Sequence, residues 1–277
     1  MPELPEVETI RRDLERLVVG RRIVSAKVVL SKLLRGYPEG RFKKRLIGRR
    51  LTAAGRRAKI LILDLDSGDK LLVHLKMSGR FLYLPADAPT AKHTHLVFGL
   101  DNGHELRFVD MRQFGYFKLA EGGRLDDMPE LKDLGPEPLA PGFSAAPFAR
   151  LVESKAASRR PIKALLIDQT FLAGVGNLYA DEILHAARVS PERRVSTLTT
   201  VEVDRIYAAL RGILGQAIKL RGTSFDLYVD AEGRRGDYAK RLKVYGRSPG
   251  PCPRCGSALR KTRIAGRGTH YCPQCQK

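Results

Sequence analysis

The chain has 277 residues, 43% of them hydrophobic, a formal net charge of +20 and a sequence pI near 10.1. This length allows two domains and a small third module around ordinary packed cores, and no apolar run approaches the length of a membrane span. The charge excess points to a polyanionic partner, DNA or RNA before a membrane, while the lack of Trp and the few aromatics speak against a single-strand binder built on stacking platforms.

Residues 5 to 19 read as a helix. Val7, Ile10, Leu14 and Leu17 share one face, Pro5 suits a first helical position and Gly20 suits the stop. Residues 22 to 119 read as β-rich. Ile60–Leu63 and Leu71–Val73 flank the turn Asp66-Ser67-Gly68-Asp69, and His95–Phe98 and Leu106–Val109 flank Asp101-Asn102-Gly103. Strands returning at this spacing predict a sandwich or barrel. Nine Lys or Arg fall within residues 41 to 59. Leu134-Gly135-Pro136-Glu137-Pro138 through Pro141-Gly142 reads as a linker, after which helices are expected near 145–156, 161–169, 177–187 and 199–220. The layout is an α+β multidomain chain: a β-rich N-terminal domain with an N-terminal helix over 1–134, a helical domain over 135–240 and a small module over 241–277.

The four cysteines lie in that module as Cys252-x-x-Cys255 and Cys272-x-x-Cys275, sixteen residues apart. Two thiolates on each of two tight turns suit one tetrahedral zinc, and so small a module needs metal to supply its folding energy. The segment between has room for two short strands with Gly266-Arg267-Gly268 at their tip. The alternatives are two disulfides or four buried thiols. Disulfides need an oxidising compartment, whereas Met1-Pro2-Glu3 is followed at once by charged residues and carries no signal-peptide pattern. A cytoplasmic setting is therefore expected. The module holds nine Lys or Arg and no Asp or Glu, which fits a nucleic-acid contact.

Removal of Met1 would expose Pro2 as a secondary amine able to attack a sugar C1′ and form an iminium ion, with Glu3 beside it to donate a proton. Read alone, the pair is better explained as a plain terminus with a helix-start Pro and first-turn carboxylates.

A longer series of motifs runs along the chain: Pro2-Glu3-Leu4-Pro5-Glu6-Val7-Glu8-Thr9, Arg56-Arg57-Ala58-Lys59, His74-Leu75-Lys76-Met77-Ser78-Gly79, Lys92-His93-Thr94-His95, Asp110-Met111-Arg112-Gln113-Phe114-Gly115, Gly174-Val175-Gly176-Asn177, Val244-Tyr245-Gly246-Arg247 and the cysteine ending, in that order. Together they resemble the bacterial formamidopyrimidine-DNA glycosylase and endonuclease VIII family, and its formamidopyrimidine member in particular. The resemblance implies a bifunctional glycosylase and AP lyase of base excision repair. It would excise oxidised purines from double-stranded DNA through a Schiff base at Pro2, then cleave the strand by β,δ-elimination. It further implies a helix–two-turns–helix element, a four-cysteine zinc finger holding one structural Zn2+, and a bacterial, nucleoid-associated monomer with no membrane partner.

Residue by residue, Pro2 maps to the nucleophile and Glu3 to its acid. Lys59 maps to an assisting lysine that touches phosphate, and Arg267 to the phosphate-gripping arginine of the zinc hairpin. Met77, Arg112 and Phe114 map to the side chains that fill the void left by an extruded nucleotide. His93, Arg159, Lys163 and Asn177 map to backbone contacts, and residues 223 to 238 to the loop that covers the extruded base. This chain has Met111 where the family often has Pro, Gln113 where it often has Arg, and Ser158-Arg159-Arg160-Pro161 in place of a lysine-rich run.

Overall fold

Two antiparallel sheets of four strands build the N-terminal unit of the computed structural model, which describes residues 1–225 and 227–277. This unit comprises Met1–Lys132 and Leu220–Ala239. Helix α1, Leu4–Leu17, starts it, and Val7, Ile10 and Leu14 are fully buried at helical spacing. Strand β1, Ile23–Val28, follows, then a 3₁₀ turn at Ser31–Leu34 and helix α2, Glu39–Leu46. The charged run Glu39–Leu46 was not expected to be helical; Phe42 and Leu46, four residues apart, give it one buried face.

The remaining strands are β2 (Leu51–Arg57), β3 (Ile60–Leu65), β4 (Lys70–His74), β5 (Arg80–Pro85), β6 (Thr94–Leu100), β7 (His104–Val109) and β8 (Tyr116–Ala120). Their order is β1–β6–β7–β5 in one sheet and β2–β3–β4–β8 in the other. Phe117 on β8 packs edge-on against Phe81, Phe98 and Phe108 of the opposite sheet, with centroids 4.9 to 6.3 Å apart. The architecture is thus a sandwich rather than a closed barrel. The outer face of the second sheet, at Ile60, Ile62 and Leu72, is covered by Leu125, Met128 and Leu131, the last two at helix α3, Pro129–Lys132, and its lead-in. Leu220–Ala239 groups with this unit: Ala231 accepts a hydrogen bond from the Tyr83 N–H on the edge strand β5.

The second unit comprises Asp133–Lys219 and Lys240–Lys277. Its helices are α4 (Ala145–Glu153), α5 (Ile162–Leu166), α6 (Asn177–Ala187) and α7 (Thr200–Lys219). Thr199 and Glu202 cap α7 reciprocally through 2.9 and 3.3 Å bonds, and Val203, Ile206, Leu210, Leu214 and Ala217 form its buried stripe. Strands β9 (Arg260–Ile264) and β10 (Arg267–Tyr271) pair as the terminal hairpin. Ile264 pairs with Arg267, so the turn is Ala265-Gly266, both at positive φ, and Arg267 opens a strand instead of sitting mid-turn. Among the described residues, no helix is long and apolar enough to cross a membrane.

Candidate active site and zinc module

In the N-terminal unit, Pro2 and Glu3 stand buried at the head of α1. Glu3 and Glu6 form a capping box, with Glu6 Oε2 accepting the Glu3 N–H at 2.8 Å. Lys59 sits in the two-residue loop joining β2 to β3, after Ala58 at φ 52°, and is buried rather than waving in solvent. A positive cluster lies around it. Burial, then Lys76, Lys59 and Arg35, push the His74 imidazole down to about 3, so the ring is neutral and its Nδ1 accepts the Lys76 N–H at 3.0 Å. Arg35 and Lys76 both lie over the Tyr116 ring, 4.8 and 5.4 Å from its centroid. His74 and Lys76 stand together in one sequence motif, whereas Arg35 joins them only through the fold.

Met77, Arg112 and Phe114 are exposed together with Met111, and the Arg112 guanidinium lies 4.9 Å over the Phe114 ring. Two loops carry these side chains, and one buried carboxylate holds both. Asp110 Oδ1 accepts the Ser78 hydroxyl, Oδ2 accepts the Gly115 N–H at 2.8 Å, and Ser78 Oγ in turn accepts the Arg112 N–H at 3.0 Å. Gly79 and Gly115 back onto the Phe108 ring so closely that a Cβ at either would lie 2.8 or 2.6 Å from it. Lys32 Nζ donates to Gln113 Oε1 at 2.7 Å and brings a positive charge to this loop. His93, at φ 66°, accepts the Asp110 N–H through its carbonyl and adjoins the same loop.

In the second unit, Asn177 begins α6, and its Nδ2 donates to the Gly268 carbonyl at 2.9 Å, next to the exposed Arg267. Lys163, expected on phosphate, turns inward. Its ammonium is wholly buried, 2.6 Å from Asp181, and donates to Thr269 Oγ1 at 2.7 Å and the Gly268 carbonyl at 3.2 Å. The ion pair and these two hydrogen bonds to the hairpin mean that it seats the hairpin instead of facing solvent. Arg159 is exposed between α4 and α5, whereas Arg160 pairs with Asp168 at 3.0 Å. Glu182 accepts the N–H groups of Lys243, Val244 and Tyr245 at 2.8 to 2.9 Å. Burial pushes its carboxyl up against those bonds.

The sulfurs of Cys252, Cys255, Cys272 and Cys275 all lie within 4.8 Å of one another. Cys255–Cys272 and Cys252–Cys275 are 3.5 and 3.9 Å apart. Zinc–sulfur bonds of about 2.3 Å put tetrahedral ligands about 3.8 Å apart, and a disulfide needs about 2.05 Å, so the set fits zinc. Four thiolates leave no open position for water, and the single zinc is structural.

Three family models cover the chain: the formamidopyrimidine-DNA glycosylase N-terminal domain over residues 1–117, the formamidopyrimidine-DNA glycosylase H2TH domain over 134–228, and a zinc finger found in FPG and IleRS over 250–277. Formamidopyrimidine-DNA glycosylase of Pelotomaculum thermopropionicum is 44% identical over 277 residues, covering 100% of this chain and 99% of the relative. Lactococcus lactis Fpg in complex with an abasic-site DNA superposes with a TM-score of 0.92 at 35% identity, covering 99% of each chain. The same enzyme with an N7-benzyl-Fapy-dG DNA gives 0.91 at 35% identity, covering 100% of each. The chain belongs to the formamidopyrimidine-DNA glycosylase family.

Proposed function

We propose that this chain is a bifunctional DNA glycosylase and AP lyase of base excision repair, acting on 8-oxoguanine and formamidopyrimidines in duplex DNA. Pro2, freed by removal of Met1, attacks C1′ of the damaged nucleotide. Glu3 protonates the sugar oxygen as the ring opens, the base departs, and an iminium ion joins Pro2 to the deoxyribose. The iminium acidifies the C2′ hydrogens, so the 3′ phosphate leaves by β-elimination and the 5′ phosphate by δ-elimination. Hydrolysis then returns the amine.

The observation that carries this reading is the exposed trio Met77, Arg112 and Phe114 on two loops locked by Asp110. Extruding a base opens a void and orphans its partner; a thioether and an aromatic ring fill the void, and a guanidinium bonds the orphan. Lys59, His93, Arg159, Asn177 and Arg267 are assigned to the DNA backbone, with Lys163 as the seat of the hairpin. A cytoplasmic, nucleoid-associated monomer in a bacterium is the setting that suits this work.

Excision from duplexes carrying 8-oxoguanine or thymine glycol tests the substrate class. Faster release of the oxidised purine is expected. Preference for thymine glycol would assign the same chemistry to pyrimidines, and no release from zinc-loaded, Met1-free protein would leave a damage binder without catalysis.

A further inference from the structure

Asp13 lies on the buried face of α1, and Asp230 is wholly buried in the segment Leu220–Ala239. The Arg221 guanidinium joins them. Its Nη2 donates to both Asp13 oxygens at 2.7 and 2.6 Å, and its Nε donates to Asp230 at 2.8 Å. Asp13 also accepts the Ala231 N–H at 3.3 Å, and Asp230 the N–H groups of Glu232 and Arg234 at 2.9 Å. One cation therefore ties the start and the middle of this segment to one side of α1.

Two residues beyond Arg221, the Thr223 N–H donates to Glu6 Oε1 at 2.8 Å, while Glu6 Oε2 holds the Glu3 N–H at 2.8 Å. Gly222, at φ +81°, makes this approach possible: a Cβ there would lie 2.9 Å from the Glu6 side chain. The Tyr228 hydroxyl donates to the Arg221 carbonyl at 3.1 Å and closes the segment over the contact.

We propose that Arg221, clamped by Asp13 and Asp230, is a positioning residue for the reacting N-terminus. It fixes the segment on α1, the Thr223 N–H then orients the Glu6 carboxylate, and that carboxylate sets the backbone of Glu3 and with it Pro2. The inference rests on the reading of Pro2 and Glu3 as the reacting pair. A clamp that only stabilised the fold would lower the melting temperature and leave the rate per folded molecule unchanged.

The test is single-turnover borohydride trapping, at saturating protein, on a duplex with a preformed abasic site. Wild type, Arg221→Ala, Arg221→Lys and Asp13→Asn are compared, with duplex affinity and zinc content measured on each. Misplacement by the order of an ångström lowers such a rate about tenfold to a hundredfold, and that loss is expected for Arg221→Ala with affinity unchanged. Arg221→Lys should recover most of the rate. Asp13→Asn, which keeps the shape of the site, should lose rate in the same direction if Arg221→Ala does not fold. A wild-type rate in folded Arg221→Ala would overturn the inference, as would rate and affinity falling in step. Wild-type protein that traps no adduct would instead overturn the reading of Pro2, and the two failures are told apart by that control.

Discussion

The ammonium of Lys163 lies 2.6 Å from the carboxylate of Asp181, and both side chains are wholly buried. Through it α5, α6 and β10 meet on one charge, because the same ammonium donates to Gly268 and Thr269. Arg267 immediately precedes Gly268, so the pair sets where the hairpin presents its guanidinium.

Lys163→Met removes the cation and leaves Asp181 buried with fewer partners. Breaking a buried pair costs about 3–5 kcal/mol. The melting temperature of the zinc-loaded protein should fall and DNA affinity with it. Lys163→Met combined with Asp181→Leu should regain much of the stability, since two apolar side chains replace the pair without an orphaned charge. Thermal unfolding of the three proteins checks this.

Asp110→Ala should unlock the two loops that carry Met77, Arg112 and Phe114. The Ser78 hydroxyl and the Gly115 N–H lose their shared acceptor, at about 1–3 kcal/mol for each donor left buried and unpaired. Excision from an 8-oxoguanine duplex should slow more than cleavage at a preformed abasic site, where no base remains to extrude. Equal slowing in single-turnover assays would count against a role in extrusion.

Stability should fall as the pH drops from about 6.5 towards 3, through proton uptake at His74. Its ring is held neutral in the folded protein with a pKa pushed down to about 3 by burial and neighbouring cations, against 6.5 when solvated. The depressed value means that the unfolded chain binds the extra proton first, so the stabilisation is full above 6.5 and is lost across that window. His74→Gln should flatten the pH dependence of urea unfolding there.

Chelation should release one zinc per chain and unfold the hairpin, with loss of duplex affinity, because the four thiolates supply its folding energy. Metal analysis alongside a binding titration reads both. The affinity should also fall steeply with salt, and Arg267→Gln should reduce the log–log salt slope by about one unit if its guanidinium neutralises one phosphate.

Much of this was legible in the sequence because it rests on local pattern. The face of α1, the hairpins around Asp66–Asp69 and Asp101–Gly103, the stripe of α7 and the paired Cys-x-x-Cys all announce themselves within a few residues. Lys163 was assigned to phosphate by the resemblance alone; its burial depends on Asp181 in the next helix and on Thr269, more than a hundred positions along the chain. The same holds for Asp13, whose partner Arg221 lies more than two hundred positions away. The turn at Ala265-Gly266 was displaced by two glycines around Arg267, and only strand register decides between such neighbours. Helix α2 was hidden by its charge, since two buried residues in eight make a weak period.

Borohydride trapping on a duplex with 8-oxoguanine opposite cytosine, using untagged protein with Met1 removal confirmed, beside Pro2→Gly and Glu3→Gln, tests the role of Pro2 as the nucleophile. A covalent adduct mapped to the Pro2 nitrogen, with strand cleavage, and its loss in Pro2→Gly is the predicted result. An adduct that maps to a lysine, or base release and cleavage that persist at the wild-type rate in Pro2→Gly, would contradict it.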